Sequence, residues 1–293
     1  MRAAVLAFAL AAGLSPCGSS AQDSPRVEPP PVFVQVGPHA RVHQTSVTRE
    51  GATTTLWIYL PRAPQRGRIP VVLVAPAGAS IFFGMNLGEE SRPEHLPYVE
   101  AGFAVIAYSV SGAEPDHATG AQRLAAMRDF IRSSGGIADA RVALEHVLHT
   151  FSSLDPDCVF AAGHSSGGSV ALRVAAALPE IRGVAAYAPV TDPLRLDDPG
   201  GQLPLALRRF YEGVGSPQVS AHRWHTPTLL VHANDDRVVP VEQTLTFRAA
   251  LPPEVPVELV RVPAGDHYGP MIEVGIPRAI SFFRGLCERA HTR

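Results

Sequence analysis

A short apolar run, Cys158–Ala162, leads straight into Gly163-His164-Ser165-Ser166-Gly167-Gly168 and then into a helical pattern. A strand that turns so abruptly into a helix leaves few architectures open. Side chains two positions before and after Ser165 would collide, so glycine is needed at both, and the serine itself is held in a strained backbone conformation. The turn lifts the Ser165 hydroxyl above the edge of a sheet and aims the N-terminus of the next helix at it.

The rest of the chain fits such a sheet. Val32–Val36, Val42–Thr48 and Thr53–Leu60 read as early strands joined by short turns such as Glu50-Gly51. Ile69–Ala75 is a continuous apolar run suited to a strand buried on both faces. Phe103–Ser109, Val184–Tyr187, Thr228–His232 and Val257–Val262 repeat that character. Helical patterns lie between them: Ser91 followed by Pro93 starts one, and Gly102 closes it. Others carry Leu124, Met127 and Ile131, then Ile137, Leu144, Val147, Leu148 and Phe151. Further helices follow Ser165 and Pro240, and a long last one runs from about Met271 to Ala290. The alternation predicts an α/β fold with a mostly parallel, doubly covered sheet and antiparallel N-terminal strands. Ligands of such sheets sit beyond the carboxyl ends of the strands.

The N-terminus reads as an address. Arg2 precedes an apolar run from Ala3 to Leu14, too short to span a bilayer, and Ser19 and Ala21 occupy the −3 and −1 positions of a cleavage site. Residues 1–21 are therefore expected to be a signal peptide, 22–31 a proline-rich linker, and 32–293 a catalytic domain with an insertion at 191–226. Export to the periplasm or medium follows. Lipidation at Cys17 ranks second, because Pro16 stands where a small residue is expected. Cys158 and Cys287 remain after cleavage; two separate buried thiols are the default expectation, with a disulfide left open.

Composition removes whole chemistries. All 25 basic residues are arginine, so no lysine Schiff base, Ser–Lys dyad or phosphate-loop lysine exists. A net charge of −2 argues against a nucleic-acid binder. His146 with His149, and His222 with His225, have ligand-like spacing but no third ligand beside them, so neither metal nor cofactor is expected.

An activated serine needs a base and an orienting acid. Two loops at carboxyl ends of strands supply candidates: Asn234-Asp235-Asp236 and Gly265-Asp266-His267. We assign His267 as base and Asp236 as acid, with Asp235 the rival and a turn-stabilising role its alternative. The oxyanion donors are expected to be the N–H of Ser166 and one from Ala77 or Gly78, since Pro76 has none. Phe82, Phe83, Met85, Asn86 and His164 are candidate substrate contacts. Phe210, Tyr211 and Trp224 of the insertion are either further contacts or its own core.

At these residues the chain resembles the α/β-hydrolases, over most of Val42 to Ala290. Within them it is most similar to dienelactone-hydrolase and prolyl-oligopeptidase-like catalytic domains, on the run His232-Ala233-Asn234-Asp235-Asp236 before Val238-Val239-Pro240. The resemblance implies the α/β-hydrolase fold and the same roles for Ser165, Asp236 and His267. Two features depart from it: no propeller pattern precedes the domain in these 293 residues, and the nucleophile is serine where true dienelactone hydrolases use cysteine. The expected function is hydrolysis of carboxylic esters of small molecules or short acyl substrates. A serine peptidase or amidase is the second reading, and a non-catalytic binding protein on this fold the third. No nucleic-acid partner and no transmembrane segment are expected.

Overall fold

Alternating apolar residues build the first strands, β1 (Val34–Val36), β2 (Ala40–Arg49) and β3 (Ala52–Pro61), and continuous apolar runs build β4 (Ile69–Ala75) and β5 (Ala104–Tyr108). The run leading to the Ser165 turn is longer than its apolar part, as β6 (Leu154–His164). It is followed by β7 (Ile181–Tyr187), β8 (Thr228–Ala233) and β9 (Val257–Val262). This computed structural model describes residues 30–49, 51–63, 65–77, 91–112, 118–196 and 203–292. The chain divides into two units, Met1–Pro31 and Val32–Arg293, and the sheet belongs to the second. The expected signal peptide and nearly all of the linker lie outside the described residues.

The sheet order is β1-β2-β3-β5-β4-β6-β7-β8-β9. The pairs among β1, β2, β3 and β5 are antiparallel; those from β5 through β4 to β9 are parallel. This is the α/β-hydrolase architecture expected from the sequence. The β2–β3 turn uses Gly51 at φ +80°, which a side chain would disfavour.

Eight α-helices lie among the described residues. α1 (Arg92–Glu100) starts with proline in its first turn, and Gly102 at φ +95° follows its end. α2 (Gly120–Arg132) is started by a capping box in which Thr119 and Gln122 bond each other's backbone N–H. α3 (Ile137–Thr150) and α4 (Ser165–Ala177) follow, then the short α5 (Leu205–Phe210) and α6 (Pro217–Ser220) of the insertion. α7 is Glu242–Ala250 and α8 is Ile276–His291. The long last helix expected from Met271 thus opens with a π-turn, Met271–Gly275, before α8.

Two apolar cores flank the sheet, as strand alternation requires. Val71, Leu73 and Ala75 of β4 join one, with α3, α4 and the insertion; Val72 and Val74 join the other, with α1 and α8. Phe210, Tyr211 and Trp224 are buried in the first core. In the second, Phe283 of α8 stacks on Phe160 of β6 with ring centroids 4.5 Å apart. A fully buried ring of this kind contributes roughly 1.5–3 kcal/mol.

The cysteines differ from the default expectation. Cys158 on β6 and Cys287 on α8 are disulfide-bonded, with Cα atoms 5.3 Å apart. The contact is made by folding: 129 residues separate the two, and only the packing of α8 against β6 brings them together.

Candidate active site

The turn between β6 and α4 carries the strain that its glycines allow. Ser165 has φ +54°, a left-handed value that is rare for a residue with a side chain. A Cβ on Gly163 would lie 2.2 Å from the Gly167 carbonyl oxygen, and one on Gly167 would lie 2.6 Å from that of Ala75. The second contact is informative, because it presses the turn against the end of β4, where Pro76 and Ala77 follow. Ser165 is half-buried, and its hydroxyl makes no hydrogen bond among the described residues. Such bonds often tighten only when substrate is bound.

Asp236 leaves β8 and is buried. Its Oδ1 accepts from the N–H groups of Val238 (2.8 Å) and Val239 (3.0 Å), and its Oδ2 lies 2.7 Å from Nδ1 of His267. Burial by itself would raise the Asp236 pKa. The donors of His232, His267, Val239 and Val238 outweigh it and hold the carboxyl well below the usual carboxylate range. The rival, Asp235, is exposed and accepts instead from the N–H of Gly265 at 2.8 Å, tying the two loops together. Asp266 is exposed too and caps the N–H of Tyr268 at 2.9 Å.

His232 was not singled out by the sequence reading. Its Nε2 is 2.9 Å from the Val239 carbonyl oxygen, which can only accept, so Nε2 carries the proton. That same N–H is 3.4 Å from Asp236 Oδ2, and Nδ1 accepts from the Thr244 hydroxyl at 2.7 Å. Asp236 therefore lies between two imidazoles. The available signal was a histidine four residues before the acid, at the end of an apolar strand.

His164 sits beneath His267. It is 4% exposed, its Nε2 is 2.7 Å from the His267 carbonyl oxygen, and the two rings are 4.4 Å apart. Burial lowers its pKa to about 4, with the neighbouring His267 acting in the same direction, so the ring is neutral and donates to that carbonyl. This places it as a support of the His267 loop, in the wall of a small pocket shared with Asp236 and His267; a second pocket lies beside Ser166.

That pocket has about 400 Å³ of empty space, part of it open solvent. Pro76, Ser166, Val190, Tyr211 and Arg173 are among its walls. Of the expected oxyanion donors, Ser166 and Ala77 are described, and Ala77 is half-buried at the end of β4. Gly78, Phe82, Phe83, Met85 and Asn86 lie outside the described residues. Asp155, Cys158, Cys287 and His291 form a group with metal-ligand spacing. Its two sulfurs are joined in the disulfide, which leaves one carboxylate, with its oxygen 3.0 Å from the Nε2 of one imidazole.

A model of the prolyl oligopeptidase family matches residues 98–281. No curated protein matches the chain. Among solved structures, a Mycobacterium tuberculosis puromycin-hydrolyzing peptidase superposes with a TM-score of 0.65 at 20% identity, over 84% of this chain and 39% of its own. Acetyl xylan esterase 1 from Thermoanaerobacterium sp. JW/SL YS485 gives 0.60 at 20% identity, over 90% and 88%. A Klebsiella pneumoniae protein assigned as a dienelactone hydrolase gives 0.61 at 19%, over 84% and 98%. The chain spans about two fifths of the length of the solved peptidases it matches. Among the described residues no helix is long and apolar enough to cross a membrane.

Proposed function

The chain belongs to the prolyl oligopeptidase family and is a serine hydrolase of the prolyl oligopeptidase and esterase kind, and on that premise we propose that it is an exported hydrolase of carboxylic esters. The observation that carries the reading is the 2.7 Å contact of Asp236 Oδ2 with His267 Nδ1, on loops beside the strained Ser165. In this mechanism Asp236 holds His267 with its proton on Nδ1, leaving Nε2 free to take the proton of the Ser165 hydroxyl. Ser165 Oγ attacks the ester carbonyl. The N–H of Ser166 and one from Ala77 or Gly78 meet the oxyanion, helped by the N-terminus of α4. The alcohol leaves with the proton from His267, and His267 then activates water to release the acid. The Cys158–Cys287 disulfide supports export, because such bonds persist in oxidising compartments.

A peptidase or amidase reading is favoured by one observation, the family match itself. It uses the same residues but requires an amine to be protonated as it leaves. Turnover of short p-nitrophenyl esters against aminoacyl-nitroanilides separates the two. Ester hydrolysis that vanishes in Ser165→Ala, with an unchanged melting temperature, is the expected result. Turnover retained above about a thousandth of wild type in Ser165→Ala removes Ser165 as nucleophile. Absence of both activities, together with no labelling by an organophosphonate, leaves a binding protein on this fold.

A further inference from the structure

The pocket beside Ser166 ends on a buried cation. Arg173 lies eight residues beyond Ser165 on α4, about 12 Å along the helix axis, and is only 4% exposed. Helical side chains lean toward the helix N-terminus, so Arg173 leans toward the Ser165 end. It is in the pocket wall together with Ser166 and Tyr211.

Its bonding is incomplete. Nη1 donates to the Ser134 carbonyl at 3.0 Å and Nη2 to that of Gly135 at 2.5 Å. Nε has no hydrogen-bond partner. No carboxylate among the described residues lies within ion-pair distance. Phe130 and Phe210 flank the guanidinium, each with its ring centroid 5.8 Å from Cζ. Burial lowers the Arg173 pKa to about 10, which leaves the group charged at neutral pH. Tyr211 beside it is neutral, since burial raises its phenol to about 12 even against the pull of Arg173.

The two carbonyl bonds give Arg173 a structural task. They hold the left-handed turn Ser134–Gly136 between α2 and α3. That task requires a donor but no charge, and an unpaired buried charge costs several kcal/mol. A guanidinium with an unused N–H in a pocket wall is the group that recognises carboxylates.

We propose that the pocket binds an acyl group ending in a carboxylate, with Arg173 as its anchor, so that the preferred substrates are half-esters of short dicarboxylic acids. This rests on the ester-hydrolase reading for its chemistry, but the binding test does not require turnover. Calorimetry on the Ser165→Ala protein compares monoethyl glutarate, ethyl pentanoate and the neutral amide isostere, ethyl 5-amino-5-oxopentanoate. Binding of monoethyl glutarate at least tenfold tighter than either neutral ester is expected. Arg173→Gln removes that preference, and Arg173→Lys restores part of it. Equal affinities for the three esters, or a preference that survives Arg173→Gln, overturns the proposal. The comparison of the three esters needs no change at Arg173, so it stands even where Arg173→Gln fails to fold. If the glutarate preference is found and wild type hydrolyses no ester, the ester reading fails while the carboxylate-binding pocket stands.

Discussion

Replacing Asp236 by asparagine changes one atom and should nearly abolish turnover. The amide oxygen can keep the bonds from the N–H groups of Val238 and Val239, where Oδ1 accepts at 2.8 and 3.0 Å. That fixes the amide NH₂ in the place of Oδ2, 2.7 Å from His267 Nδ1 and 3.4 Å from His232 Nε2. His232 cannot adapt, because its Nε2 proton is also committed to the Val239 carbonyl. His267 can adapt by moving its proton to Nε2. Nδ1 then accepts from the amide, and the nitrogen intended for Ser165 carries a proton and cannot take another. The expected loss is on the order of 10⁴ in kcat, the size found for the equivalent change in a serine-protease triad. This corresponds to about 5.5 kcal/mol of barrier. Asp235→Asn is the control. Its side-chain oxygen can still accept from Gly265, so kcat should stay within about threefold. The assay is steady-state hydrolysis of p-nitrophenyl acetate, with organophosphonate labelling to report Ser165. If Asp235→Asn abolishes turnover and Asp236→Asn does not, the tautomer argument is wrong and the acid has been misassigned.

Three other perturbations test the frame around the site. Gly163→Ala puts a methyl 2.2 Å from the Gly167 carbonyl, so the turn must open; a stability loss of about 3 kcal/mol and at least a hundredfold loss of activity are expected. A variant with wild-type melting and turnover would contradict this. His95 is 1% exposed with neither ring nitrogen hydrogen-bonded, and burial lowers its pKa from 6.5 to about 3. The unfolded chain therefore binds the proton first, and the contribution to stability present above pH 6.5 is lost as pH falls toward 3. Between pH 7.5 and 5 wild type should lose about 2 kcal/mol more than His95→Leu in urea unfolding, and parallel pH profiles would refute it. Removing the disulfide with Cys158→Ala/Cys287→Ala frees a loop of 129 residues, worth about 5 kcal/mol at most by chain entropy. A fall in melting temperature on the order of 10 °C is expected, and a change under about 2 °C shows that the bond adds little.

The strands and the Ser165 turn were legible because their signals are local. Ile69–Ala75 and Val257–Val262 coincide with β4 and β9, since an apolar run between turn residues has little else to become. The ends were less legible where polar residues continue a strand. Leu154–Asp157 extends β6 backwards through Pro156, held by a neighbouring strand rather than by its own pattern. The insertion gave no period to read, because α5 and α6 are too short to repeat one.

The sequence by itself determined the strand–turn–helix around Ser165 and the fold that puts the loops of Ser165, Asp236 and His267 at one edge of the sheet. These follow from steric limits at Gly163 and Gly167 and from hydrophobic period, both of which act within a few residues. Only the tertiary structure shows how the adjacent side chains of Asp236 and Asp235 part, one meeting the imidazoles of His267 and His232 and the other the N–H of Gly265. It also decided the pairing of Cys158 with Cys287, the support of Asp236 by His232, and the place of Arg173 in a pocket wall. Each of those is a contact through space, set by how helices seat on the two faces of the sheet, and no short stretch of sequence contains it.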